Sequence, residues 1–74
     1  MNFSSDHNAN INNLTARERE VLFLRTEGLT REQIAETLQI AETTAKTHLQ
    51  NIHRKLGVST QAELIKLVYS QRKA

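Results

Sequence analysis

The stretch IAETTAKTHLQNIHRKLGV, residues 40–58, decides the fold. At about 100° of rotation per residue, Ala45, Leu49, Ile52 and Leu56 fall within roughly 60° of one another, so one helix carries a narrow apolar seam. Thr43, Thr47, Gln50 and Arg54 gather near the opposite side, with Lys46 and Asn51 on its flanks. Glu42 is the last acid until Glu63, which leaves that outer surface cationic and rich in hydrogen-bonding groups. A helix held by one face and presenting Lys, Arg, Thr, Gln and Asn on the other suits the DNA major groove. On an isolated helix the same pattern would describe an ordinary solvated surface. The segments before it separate the two readings.

Upstream, Thr15 and Glu18 form a T-x-x-E capping box that starts a first helix, and Val21, Leu22, Phe23 and Leu24 supply its buried side. Gly28 offers the left-handed stop. A second box, Thr30 with Gln33, starts a second helix, with Leu29 and Ile34 at the hydrophobic-staple positions and Ile34, Ala35 and Leu38 facing the core. Residues 39–41 then lead directly into the cationic helix. A short helix, a short connection and small Ala35 at the close approach make a helix-turn-helix. Gly57 ends the third helix, and Thr60 with Glu63 starts a fourth.

The fourth helix has more apolar surface than one contact uses. Ala62, Leu64, Ile65, Leu67, Val68 and Tyr69 span about 220° of its circumference, whereas one packing face needs about half of that. The surplus of Ala62, Ile65 and Tyr69 points to self-association, against the plainer reading of a few exposed apolar side chains. Residues 1–13 are polar, rich in Asn and Ser and without helical period, and read as a disordered tail or linker remnant. Residues 14–72 form the domain. The expected class is all-α, a compact four-helix domain containing the helix-turn-helix.

Composition narrows the function further. Seventy-four residues allow one small domain with a modest core. The absence of cysteine rules out a disulfide framework and a thiolate metal site. Phe3, Phe23 and Tyr69 are the only aromatics and provide no stacking platform for single strands. No apolar run reaches a membrane span and no signal-peptide core is present, so a cytoplasmic location without membrane contact is expected. The formal charge is +2 and the acids lie mainly ahead of the third helix, so distribution says more than the total.

Leu14-Thr15-Ala16-Arg17-Glu18-Arg19-Glu20-Val21-Leu22, continued by Gly28, Leu29-Thr30, Ile34-Ala35 and Leu38, resembles the opening of the LuxR/GerE-type DNA-binding domain. Lys46-Thr47-His48, Asn51-Ile52 and Lys55-Leu56-Gly57-Val58 extend the likeness, which covers about residues 14–69. The resemblance implies a bacterial, sequence-specific transcription regulator that binds double-stranded DNA without a cofactor. It places the third helix in the major groove and makes the fourth the contact of a homodimer. It assigns base edges to Lys46, Thr47 and Gln50, and phosphates to Thr44, Asn51 and Lys55. Lys55 is lateral on the helix and equally suits a C-terminal cap. Arg54, like Thr43, is added from the helical face. RNA polymerase and a full-length regulator are further candidate partners. Three positions depart from the family pattern: Ala41 replaces a usual N-cap Ser, Ala45 a usual Val, and Gln61 a usual Arg.

An enzyme is not expected. His48 lies beside the apolar seam and reads as structural, with a phosphate contact as the alternative. His53 is five residues on, so the two imidazoles diverge and make a poor metal pair. Glu18 and Glu20 point away from each other on a helix, and no nucleophile triad or phosphate-binding loop is present. Two rivals remain at this level. Region 4 of a sigma factor shares the opening motif but normally lacks KTHxxNIxxKLGV. A truncated interaction protein could inactivate a full-length relative by hetero-dimerisation, but a pure decoy has no need of Lys46, Thr47 and Gln50.

Overall fold

The computed structural model describes residues 11–73. A 3-10 turn, Ile11–Asn13, leads into α1 (Ala16–Thr26), α2 (Arg31–Leu38), α3 (Glu42–Leu56) and α4 (Gln61–Lys73). Among the described residues all regular structure is helical, as the alternation-free sequence requires.

The starts of α1, α2 and α4 follow the capping chemistry. Thr15 Oγ1 accepts from Glu18 N at 3.1 Å while Glu18 Oε1 accepts from Thr15 N at 2.9 Å. Thr30 and Gln33 repeat the exchange at 3.1 and 2.9 Å. Before α4, Thr60 Oγ1 accepts from Glu63 N at 3.1 Å, and the Glu63 carboxylate accepts from Ser59 N at 2.7 Å and Thr60 N at 3.4 Å. Those amides, Ser59 first, hold the Glu63 carboxyl below its ordinary 4.5. Only α3 lacks such a cap: Ala41 stands at its N-cap with φ −66° and ψ 149° and offers no side-chain hydrogen bond.

The first three helices end in the same device. The amides of Gly28 and Leu29 return to Arg25 O and Leu24 O, those of Gln39 and Ile40 to Glu36 O and Ala35 O, and those of Gly57 and Val58 to Arg54 O and His53 O. This is the Schellman pattern, in which the residue after the left-handed position is apolar and folds back on the helix. Leu29, Ile40 and Val58 are all partly buried against the core. Two of the left-handed positions are the expected glycines, Gly28 at φ 101° and Gly57 at φ 70°. The third is Gln39 at φ 58°, where an L side chain is accepted in the turn of the helix-turn-helix.

The core is built from Val21 and Leu22 of α1, Ile34 and Ala35 of α2, the seam of α3, and Leu64 and Val68 of α4. Ile34, Ile52, Leu64 and Val21 are its largest fully enclosed side chains. Truncating one of the larger residues to Ala costs about 2–5 kcal/mol at such sites.

Two expectations change here. Phe23 was expected on the buried side of α1, but it is 57% exposed. Val21 and Leu22 already fill the narrow face that α1 turns inward, and Phe23 is rotated beyond it. The expected tail ran through residue 13; its first ten residues lie outside the described part, but the 3-10 turn belongs to the domain. Ile11 packs against the core, and its amide donates to Gln71 Oε1 of α4 at 3.1 Å.

Candidate nucleic-acid interface

α3 is fixed by Ala45, Leu49, Ile52 and Leu56, all buried, so its opposite face is defined by rotation alone. Thr43, Lys46, Thr47, Gln50 and Arg54 are exposed on that face, as is Thr44 at its flank. Thr47 Oγ1 donates to Thr43 O at 3.0 Å, which fixes the hydroxyl and leaves its lone pairs outward. Arg54 Nη2 donates to Asn51 Oδ1 at 2.9 Å, so these two side chains form one donor-rich unit on the last turns. Gln50 projects near the middle, where it can offer both a donor and an acceptor to a base edge.

Lys55, expected among the phosphate contacts, has a partner within the domain. Its Nζ lies 2.9 Å from Glu18 Oε1, and Glu18 is buried to 4% exposure. The lateral position of Lys55 faces α1 rather than the outer groove, so the buried carboxylate captures the ammonium. Burial alone would raise the Glu18 carboxyl; the Lys55 hydrogen bond and the Thr15 amide outweigh it and hold the group below the ordinary 4.5. Lys55 thus ties the end of α3 to the start of α1. Glu18 was legible as a capping residue, but its second partner was not. That contact spans 37 positions of sequence.

Open clefts run along α3, and two of them lie on opposite flanks. One, of about 380 Å³, is lined by Thr15, Glu18, Thr43, Thr44, Thr47, His48 and Asn51. The other, of about 430 Å³, is lined by Arg25, Arg31, Lys46, Leu49, Gln50 and His53. Arg25 and Arg31 come from α1 and α2, so a reading confined to the α3 helical wheel misses them. His48 is half-buried beside the seam, as its rotation implies.

On α4, Leu64 and Val68 are buried, Leu67 is partly buried, Ile65 is half-buried, and Ala62 and Tyr69 are exposed. Tyr69 retains 58% exposure. Ala62, Ile65 and Tyr69 therefore lie together on the side that the core leaves uncovered. Among the described residues no group of three or more metal-ligating side chains forms. No helix among them is long and apolar enough to cross a membrane.

Comparison with known proteins agrees with this architecture. Residues 12–68 match the family described as bacterial regulatory proteins, luxR family. The transcriptional regulatory protein MctR of Rhizobium johnstonii is 49% identical over 53 residues, covering 72% of this chain and 25% of MctR. The HTH-type transcriptional regulator MalT of Vibrio campbellii is 46% identical over 52 residues, covering 70% of this chain and 6% of MalT. A solved structure of the response regulator StyR superposes with a TM-score of 0.79 at 47% identity, covering 81% of this chain and 30% of that one. The chain thus spans a quarter or less of the length of these two curated relatives.

Proposed function

The chain belongs to the luxR family of bacterial regulatory proteins, and from that premise we propose that it binds double-stranded DNA sequence-specifically to regulate transcription. The observation that carries this reading is the outer face of α3, where Thr43, Lys46, Thr47, Gln50 and Arg54 are all exposed opposite a fully buried seam. An α-helix of these dimensions fits the major groove, where Lys46, Thr47 and Gln50 read base edges. Thr44, Asn51 and Arg54 set the register on phosphates, and Lys55 acts from behind by holding α3 to α1. The helix-turn-helix supplies rigidity: α2 braces α3 through Ile34, Ala35 and the Schellman turn at Gln39.

Ala62, Ile65 and Tyr69 support a homodimer through α4. An isologous contact about a two-fold axis would set two copies of α3 about one DNA turn apart. The operator is then an inverted repeat. An intact base-reading face favours this reading over a partner that acts by sequestration alone.

Binding to a selected duplex and to random DNA across a salt series tests the proposal. Neutralising about 4–6 phosphates per dimer gives a log–log slope of roughly −4 to −5 on the selected site. A flat salt response, or equal affinity for every duplex, refutes it.

A further inference from the structure

A helix seated in the major groove has one phosphate backbone on each side of it, and α3 has clefts on both flanks. The cleft beside Thr44 and Asn51 offers hydroxyl and amide groups. The opposite cleft is different in kind: Arg25, Arg31, Lys46 and His53 line it, with Gln50 at its edge. No acid lines it among the described residues. Glu42 and Glu63 interact with its lining residues, and both are engaged. Glu42 holds Arg31 at 3.3 Å, and Glu63, whose carboxyl feels His53, accepts from Ser59 N at 2.7 Å.

With Arg31 balanced by Glu42 and Lys46 directed to the groove floor, Arg25 and His53 remain to meet the backbone on this side. Arg25 is held in place for that task. Its Nη1 donates to Leu29 O at 3.0 Å, which fixes the guanidinium across the α1–α2 turn and leaves further N–H donors for an oxyanion. We propose that Arg25, assisted by His53, binds a backbone phosphate of the strand opposite the one contacted by Thr44 and Asn51. The inference rests on the DNA-binding reading above and adds a contact made from α1, outside the helix-turn-helix.

On this arrangement the grip on the two strands is asymmetric. One strand is held by Thr44, Asn51 and the attached Arg54 along α3, the other by a fixed guanidinium from α1. A charge fixed away from the recognition helix strengthens binding without reading sequence.

Arg25→Gln should weaken binding to selected and random duplexes by the same factor, about 5–10-fold, and make the log–log salt slope shallower by about 0.9 per bound protomer. A scan of the selected duplex with single methylphosphonate substitutions localises the contact. Wild type should lose affinity when one particular phosphate on that strand is neutralised, and Arg25→Gln should be insensitive there. His53→Gln, which disturbs none of the helix-end hydrogen bonds, should show a smaller loss at the same phosphate and keeps the test valid if Arg25→Gln folds poorly. If wild type binds with salt and sequence dependence while both variants keep its slope and its methylphosphonate profile, this inference falls and the DNA-binding reading stands. A wild type with a flat salt response overturns both.

Discussion

Replacing Lys55 by Met removes the ammonium that stands 2.9 Å from Glu18 while keeping a flexible apolar stem along the surface of α3. The Glu18 side chain left behind is 6% exposed and retains the Thr15 amide at 2.9 Å. Orphaning one member of a fully buried pair costs about 3–5 kcal/mol. Here the Lys55 side chain is 30% exposed, so water reaches the vacated position and the loss approaches that of one charge-assisted hydrogen bond, about 2–3 kcal/mol. For a domain of this size that lowers Tm by about 10–20 °C. Urea melts at neutral pH measure the loss directly. The pH dependence gives a second check. Because the folded-state Glu18 carboxyl lies below its ordinary 4.5, its stabilisation is complete above that value and disappears as pH falls through the lower folded value. The gap between wild type and Lys55→Met should therefore close in acid. Held below its melting temperature, the variant should keep the wild-type salt slope on DNA, since Glu18 engages the Lys55 ammonium. A variant within about 0.5 kcal/mol of wild type, or parallel stability curves from pH 7 to 3, would refute the assignment of a buried tie. A slope reduced by about one would return Lys55 to the phosphates.

Other outcomes follow from the same geometry. Gln50→Ala should lose discrimination at one or two base pairs, costing about 1–3 kcal/mol on the preferred site, whereas Asn51→Ala should weaken specific and random binding alike. Gel shifts on point-substituted duplexes distinguish them, and a uniform loss for Gln50→Ala would make it a backbone contact. Ala41→Ser supplies the missing N-cap oxygen and should raise stability by about 0.5–1.5 kcal/mol in urea melts. An unchanged midpoint would mean that the α3 amides are already satisfied. Gln39→Gly relieves the left-handed side chain and should add about 0.5–1 kcal/mol, with loss of stability as the contrary result. Ile65→Asp puts a charge in each half of the proposed α4 contact. It should reduce affinity for a two-half-site duplex while single-half-site binding and the fold persist; sedimentation with both duplexes decides the point, and full cooperativity would remove α4 from the dimer.

Much of the fold was legible because it is encoded over short distances. The capping boxes at Thr15–Glu18 and Thr30–Gln33 are bonds between residues three apart, and the seam from Ala45 to Leu56 is a consequence of 3.6 residues per turn. A motif spread over several helices likewise identified the family. The same local rotation placed Gln50 and Thr47 outward with no knowledge of what lay behind α3.

What the linear chain left open depended on contacts between distant elements. Gln39 has no glycine-like signature, and its left-handed φ becomes tolerable because Ile40 is anchored on the core. Phe23 belongs to an apolar run, yet the angle at which α1 meets its neighbours leaves its ring exposed. Glu18 reads as a cap from sequence; its burial and its bond to Lys55 arise when α1 packs across the end of α3. That packing gives the half-buried Lys55 a carboxylate partner, and the approach of α1 and α2 to α3 brings Arg25 and Arg31 beside Lys46. Local hydrogen bonds and helical period are properties of neighbouring residues, so the sequence by itself determined the helices and their faces. Which charges meet across those faces is set by the relative placement of whole helices, and only the tertiary structure decided it.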